Sequence, residues 1–297
     1  MILNETFALA DGIAIPKLGL GTWRIDDAAV VQVVREALAI GYRHFDTAQA
    51  YGNERGVGEA LRASGVSRDE LFVTTKLAAE SKSYADAKSR IDGSLRALGL
   101  DHIDLMLIHS PQPWTEFREG GDFHAGNLEA WRALEEAQQA GKLRAIGVSN
   151  FERGDLDNIL RHGTVKPAVN QVLAHVGNTP FDLIDYCRAQ DVLVEAYSPV
   201  AHGAALRHSM LVELAAKYDV GVAQLCIRYC LQLGLLPLPK SANADHMRSN
   251  AAVDFAISED DMATLLQSSG DAIDYGEASV FPVFGKPRQV ARSSINA

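Results

Sequence analysis

Short apolar runs recur along the chain at about residues 17–23, 44–48, 72–77, 103–109, 145–149, 168–172, 193–198 and 235–239. Each is rich in Val, Ile, Leu or Phe, the pattern of strands buried on both faces. Between them the period lengthens. Ala28 to Leu38 puts Val30, Val33, Val34, Ala37 and Leu38 on one helical stripe and stops before Gly41, a helix-terminating glycine. Asp86 to Leu98 stops before Gly99, and the run from Leu128 to Ala137 is followed by Gly141. Eight such strand–helix repeats predict an α/β fold, a (β/α)8 TIM barrel rather than an open sheet. Ahead of the first repeat, Thr6 to Ile15 reads as an N-terminal β-hairpin around an Asp11-Gly12 turn. No interior linker or low-complexity stretch interrupts the series, so residues 1–297 are expected to form a single domain. Asp271 to Ala297, with two prolines, two phenylalanines and no helical period, is expected to be a long C-terminal loop.

In a barrel the C-terminal ends of the strands meet at one face, where active sites lie. Asp46, Lys76 and His109 each end one of the apolar runs, and Tyr51 follows in the loop after Asp46. Taken singly they read as a capping aspartate, a solvated lysine, a satisfied histidine and a surface tyrosine. Together they form a proton-donating set. A phenol with an ordinary pKa of ~10 is a poor acid at neutral pH, and a nearby ammonium stabilises its phenolate. Lys76 supplies that charge, Asp46 keeps Lys76 in place and protonated, and His109 donates or relays a hydrogen bond at a carbonyl oxygen.

Composition narrows the partners. A net charge of −10 argues against nucleic acid or an anionic membrane. No apolar stretch approaches the ~18 residues of a spanning helix, and the N-terminus has no signal-peptide pattern. Cys187, Cys226 and Cys230, without a Cys-x-x-Cys, read as buried reduced thiols, so a cytoplasmic protein is expected. Gly19-Leu-Gly21-Thr22-Trp23-Arg24 lacks the third glycine of a Rossmann phosphate loop, and Gly56-Val-Gly58 lies inside a helical stretch. None of the nine histidines forms His-x-His or His-Glu-x-x-His, so no metal is expected. There is no Gly-x-Ser-x-Gly elbow.

Longer motifs carry a resemblance. The segments are Phe45-Asp46-Thr-Ala-Gln-Ala-Tyr51-Gly-Asn-Glu, Thr75-Lys76 and Leu98-Gly-Leu-Asp-His-Ile-Asp-Leu-Met-Leu-Ile-His109-Ser-Pro, followed by Ile146-Gly-Val-Ser149-Asn150-Phe, Asn170-Gln171, Tyr197-Ser198-Pro199 and Leu238-Pro-Lys240-Ser241. In this order, from about residue 7 to 267, the chain resembles the aldo-keto reductases, nearest their bacterial 2,5-diketogluconate reductase-like branch. The resemblance implies a barrel plugged by the hairpin and a nicotinamide cofactor lying across its top. It makes Tyr51 the general acid, beside Asp46, Lys76 and His109. Ser149, Asn150 and Gln171 would hold the carboxamide, Tyr197 would stack on the nicotinamide, and Ser198 would reach the pyrophosphate. Gly21, Thr22 and Val200 would also face the cofactor. Lys240 and Ser241 would hold the 2′-phosphate of NADPH, with His246 and Asn250 toward the adenine end.

Departures from the family pattern matter. His246 stands where an arginine usually packs on the adenine, and an imidazole pairs with phosphate less well than a forked guanidinium. NADPH is the expected cofactor, with NADH as the alternative; Arg248 offers a replacement charge from a different helix face. Ala78 and Ser110 replace two tryptophans, which widens the pocket and makes it more polar. Trp23, Ser110, Trp114 and His202 are the expected substrate-facing residues, with Phe117, Phe123, Phe281 and Phe284 as further candidate walls. Trp131 reads as core. The expected activity is NAD(P)H-dependent reduction of aldehydes, ketones, dicarbonyls or keto-sugars by a monomer. The other reading is a nicotinamide-binding redox sensor of the same fold.

Overall fold

The eight apolar runs form eight parallel strands around one axis. In the computed structural model, residues 1–9, 12–268 and 274–284 are described. Strands are numbered in chain order. β1 (Thr6–Ala8) and β2 (Ala14–Pro16) pair antiparallel, Thr6 opposite Pro16; Ala10 and Asp11 of the expected turn lie outside the described residues. The barrel strands are β3 (Leu20–Gly21), β4 (His44–Asp46), β5 (Phe72–Leu77), β6 (Ile103–Ile108), β7 (Leu143–Ser149), β8 (Val169–Leu173), β9 (Leu193–Tyr197) and β10 (Leu236–Leu238). They pair in sequence order from β3 to β10. The circle closes through short backbone contacts: Gly19 N–H donates to Pro237 O at 3.3 Å, Gly21 N–H donates to Pro239 O at 3.1 Å, and Gly21 bridges to Lys240.

Helices follow each strand: α1 (Asp27–Ile40), α2 (Glu54–Arg62), α3 (Tyr84–Leu98), α4 (His124–Gln139), α5 (Arg153–His162) and α6 (Phe181–Ala189). Between β9 and β10 lie α7 (Ser209–Lys217) and α8 (Val222–Gln232), and after β10 come α9 (Ala244–Ala251) and α10 (Glu259–Gln267). The predicted stripe of α1 is the face it buries, and Gly41 ends it at φ 116° with its N–H on the carbonyls of Ala37 and Leu38. α3 begins two residues before its apolar period because the Ser83 side chain accepts from Asp86 N–H. α4 begins four residues early, at His124. Residues 274–284 of the expected C-terminal loop form two 3-10 turns, Gly276–Val280 and Pro282–Phe284; 269–273 and 285–297 lie outside the described residues. Among the described residues no helix is long and apolar enough to cross a membrane.

Two apolar clusters divide the interior. The larger packs the helices against the outside of the barrel and includes Trp131, fully buried as expected for core. The smaller fills the barrel: Phe72, Leu105, Leu107, Ala145, Val169, Leu236 and Leu238, with Leu9 and Ile15 of the hairpin segment packed into it. The hairpin therefore seals the end where the strands begin. Strand alternation then carries the inward positions upward from Phe72 to Lys76, from Leu107 to His109 and from Val169 to Gln171. The barrel is apolar at the plugged end and polar at the other.

Candidate active site

Asp46 ends β4, Lys76 lies one residue before the end of β5, and His109 follows β6. Tyr51 closes a single 3-10 turn, Gln49–Tyr51, that Gly52 ends at φ 69°. Gln49 fixes that turn. Its Oε1 accepts from Ala78 N–H at 2.9 Å and its Nε2 donates to Ser94 Oγ at 2.8 Å. Asn53 clamps the next stretch by donating to the carbonyls of Thr22 and Ile25, while accepting from Thr47 Oγ1 at 2.6 Å. The loops after β3 and β4 are thus tied together around the phenol.

Lys76 is fully buried. Its Nζ donates to Asp46 Oδ1 at 2.6 Å, to Thr47 O at 2.9 Å and to Tyr51 Oη at 3.4 Å. Burial works against its charge, but Asp46 and Tyr51 outweigh burial and raise its pKa. For Tyr51 burial is the largest influence and raises the pKa; Lys76 opposes this, as expected from sequence, but does not overcome it. His109 is held well below the usual imidazole value by burial and then by the Lys76 charge, so it is neutral near physiological pH. Its ring lies edge-on to Tyr51, with centroids 5.6 Å apart.

A second group adjoins the first. Ser149 Oγ donates to Gln171 O at 2.8 Å, and Asn150, at φ 60°, donates through Nδ2 to His109 O at 3.0 Å and to Ser149 Oγ at 3.1 Å. Tyr197 Oη donates to Asn150 Oδ1 at 2.7 Å. Gln171 Nε2 donates to Asp46 Oδ2 at 2.9 Å, joining the two groups.

Around the barrel seam lie the remaining expected cofactor residues. Gly21 bridges to Lys240, and Thr22 is buried with its Oγ1 donating to Asp46 O at 2.9 Å. Ser198 stands at φ 53° and precedes the half-buried Val200. Ser241 Oγ accepts from Asn243 N–H at 3.1 Å at the start of α9, which carries the exposed His246 and the buried Asn250. Arg248 is engaged on its own helix, donating to Asp245 Oδ1 at 2.9 Å. Arg24, at φ 58°, had not been singled out from sequence. Burial and then the Arg24 charge lower the pKa of Lys240, and burial, Arg24 and Lys240 in turn lower that of His202.

At the mouth, Trp23 packs edge-on against His202 at 5.1 Å and Phe281 at 4.8 Å, with Phe284 stacked at 6.2 Å. Tyr275 anchors that C-terminal segment through a 2.8 Å bond between its hydroxyl and His175 Nε2. Trp114 lies edge-on to His109 at 5.0 Å, backed by Phe117. Phe123 takes the N-cap position of α4. Ser110 is not brought to the open side. It is buried, its Oγ accepts from Gln112 N–H at 3.3 Å, and its carbonyl accepts from Lys82 Nζ at 2.9 Å. Glu195, on β9, was also missed from sequence; its Oε2 accepts from Gln171 Nε2 at 2.7 Å. A cavity of about 550 Å³ near the plugged end, lined by Leu9, Lys166, Arg188 and Leu235, lies away from all these groups.

The sequence profile of the Aldo/keto reductase family matches residues 17–269. A glyoxal reductase of Bacillus subtilis is 39% identical over 262 residues, covering 88% of this chain and 91% of that protein. Among solved structures, an aldo/keto reductase from Brucella melitensis superposes with a TM-score of 0.84 at 35% identity, covering 91% of this chain and 99% of that one. An aldo-keto reductase from Bombyx mori, solved in complex with NADP, superposes with a TM-score of 0.82 at 32% identity, covering 95% of this chain and 99% of that one.

Proposed function

The chain belongs to the aldo/keto reductase family, and from that membership we propose that it reduces aldehydes, ketones, dicarbonyls or keto-sugars to alcohols using NADPH, with Tyr51 as proton donor. NADPH, when bound, supplies the hydride that arrives at the carbonyl carbon. One observation carries the reading: the buried Lys76 Nζ touches both the Asp46 carboxylate and the Tyr51 hydroxyl. Burial keeps Tyr51 protonated in the resting chain, and the adjacent ammonium stabilises the phenolate left after proton transfer. His109, neutral, has one N–H to donate to the carbonyl oxygen and orient it. Trp23, Trp114 and His202 line the approach.

The remaining residues suit the cofactor. Ser149, Asn150 and Gln171 present hydrogen-bonding groups for a carboxamide. Tyr197 donates to Asn150 Oδ1 through its hydroxyl, which leaves its ring face to stack on the nicotinamide. Arg24 and Lys240 bring positive charge together beside His202, which favours a phosphate-bearing ligand. Gly21, Thr22, Ser198 and Val200 border that path, with Ser241, His246 and Asn250 toward the adenine end. Because His246 is an exposed imidazole and Arg248 is paired with Asp245, NADH is the alternative cofactor. Dicarbonyls lead the substrate classes, supported by the glyoxal reductase relative. Every group named lies on one barrel domain, so a monomer suffices.

The test is NADPH oxidation with methylglyoxal, a nitrobenzaldehyde and a diketo-acid, in wild type and Tyr51→Phe. Turnover by wild type and a loss of about 10²-fold or more in the variant, with NADPH affinity retained, is expected. A Tyr51→Phe enzyme that keeps most of its turnover removes Tyr51 as the acid. No turnover on the whole panel favours the redox-sensor reading.

A further inference from the structure

Beneath the acid–base groups lies a carboxyl group that the mechanism above does not use. Glu195 stands mid-strand in β9, inside the barrel and fully buried. A barrel interior ordinarily fills such a position with Val, Ile or Leu. Its Oε2 accepts from Gln171 Nε2 at 2.7 Å, and the same nitrogen donates to Asp46 Oδ2 at 2.9 Å. Glu195 Oε1 has no partner among the described residues. A buried carboxyl with a single bond costs stability, so its presence calls for a function.

Two acid oxygens decide which way round the Gln171 amide lies. Its nitrogen must face them, because a carbonyl oxygen in that place would meet the Asp46 carboxylate, which can only accept. Both amide hydrogens are then engaged, and Oε1 alone is left to take a further bond. A single anchor on Asp46 would let the amide rotate about that contact; a second anchor fixes its plane. We propose that Glu195 is a positioning residue for the cofactor, holding the Gln171 amide so that its Oε1 is presented to the N–H of the nicotinamide carboxamide. The proposal rests on Gln171 as a carboxamide ligand in the reading above.

Charge adds a second consequence. Burial and then the Asp46 charge push the Glu195 pKa up to about 8, with the Gln171 bond and Lys76 opposing. The charged groups facing it are Asp46 from β4 and Lys76 from β5; β8 presents Gln171, and the register partner on β10 is Leu236. Below about pH 8 Glu195 is a neutral acid, and above it a second anion beside Asp46. An anion under the nicotinamide favours the positively charged oxidised ring over the neutral reduced one. Affinity for NADP⁺ relative to NADPH therefore rises as pH passes this value.

The experiment titrates NADPH and NADP⁺ against wild type, Glu195→Gln and Glu195→Leu by tryptophan fluorescence, across neutral and alkaline pH. The titrations themselves need no turnover, so failure of the reductase reading would show in the activity panel and leave them interpretable. Glu195→Gln keeps the acceptor for Gln171 and cannot ionise. It is expected to bind NADPH like wild type near neutral pH and to lose the alkaline shift toward NADP⁺. Glu195→Leu is expected to bind NADPH about five- to ten-fold more weakly, with cofactor KM moved more than kcat. Wild-type NADPH affinity in Glu195→Leu overturns the positioning role, and a wild-type alkaline shift in Glu195→Gln overturns the charge effect. If the leucine variant does not fold, Glu195→Thr, whose shorter side chain no longer reaches the Gln171 amide, is titrated in its place and is expected to show the same loss of NADPH affinity.

Discussion

At Lys76 burial and charge oppose each other, and Asp46 settles the balance. The ammonium is out of water with a carboxylate 2.6 Å away, so removing one partner strands the other. Lys76→Met is expected to lower unfolding stability by about 3–5 kcal/mol in urea titrations, with Asp46 left uncompensated. Because the folded pKa of Lys76 is raised, the pair's contribution is fully present below the ordinary lysine value of ~10.4. It is lost only as pH climbs through the raised value. His109 has the opposite sign. Its depressed pKa means that it gains charge only well below the ordinary ~6.5, so the plot of log kcat against pH should show no inflection from His109 near that value. A His109-dependent break near 6.5, removed by His109→Gln, would contradict the neutral imidazole.

Strands and helices set how close their neighbours come, and two glycines separate the cases. A Cβ at Gly147 of β7 would lie 2.6 Å from Val169 O and 2.8 Å from Leu107 Cδ2, so Gly147→Ala should destabilise by about 1–3 kcal/mol. Gly93 lies inside α3 with Arg96 Nη2 4.0 Å away as its nearest neighbour, so Gly93→Ala should stabilise by about 0.5–1 kcal/mol. Thermal melts of the two variants should move in opposite directions. The elements themselves were legible because eight apolar runs and three helix-ending glycines repeat one pattern. The early start of α4 was hidden by Gly126, which weakens the local helical signal. That glycine answers to tertiary packing: a Cβ there would stand 2.8 Å from Lys82 Cβ. Asp46, Lys76 and His109 could be read because strand ends converge in a barrel. Glu195 could not, since one glutamate within Leu193-Val-Glu-Ala-Tyr197 reads as an outward-facing break in a buried strand. Ser110 was expected at the pocket wall because it stands where the family often places a tryptophan. The bond from Lys82 to its carbonyl, which holds it in the buried loop, joins residues 28 apart.

Across the whole molecule, the mouth is built from distant stretches: Trp23 near the start, His202 beyond the middle, and Phe281 and Phe284 near the end. A chain ending at residue 268 keeps every barrel strand but loses Phe281 and Phe284 from this aromatic wall. It is expected to remain folded and bind NADPH, while its KM for a nitrobenzaldehyde rises several-fold relative to methylglyoxal. Equal KM ratios before and after truncation would show that the wall does not touch substrate. The seam between Gly21 and Lys240 sets a different constraint, one of timing. Synthesis delivers Asp46, Tyr51, Lys76 and His109 in the first part of translation, whereas Lys240, Ser241 and Asn250 emerge near its close. On the proposed roles of these residues, a nascent chain carries its proton-handling groups long before it can grip a dinucleotide, and cofactor capture waits until the last strand has left the ribosome.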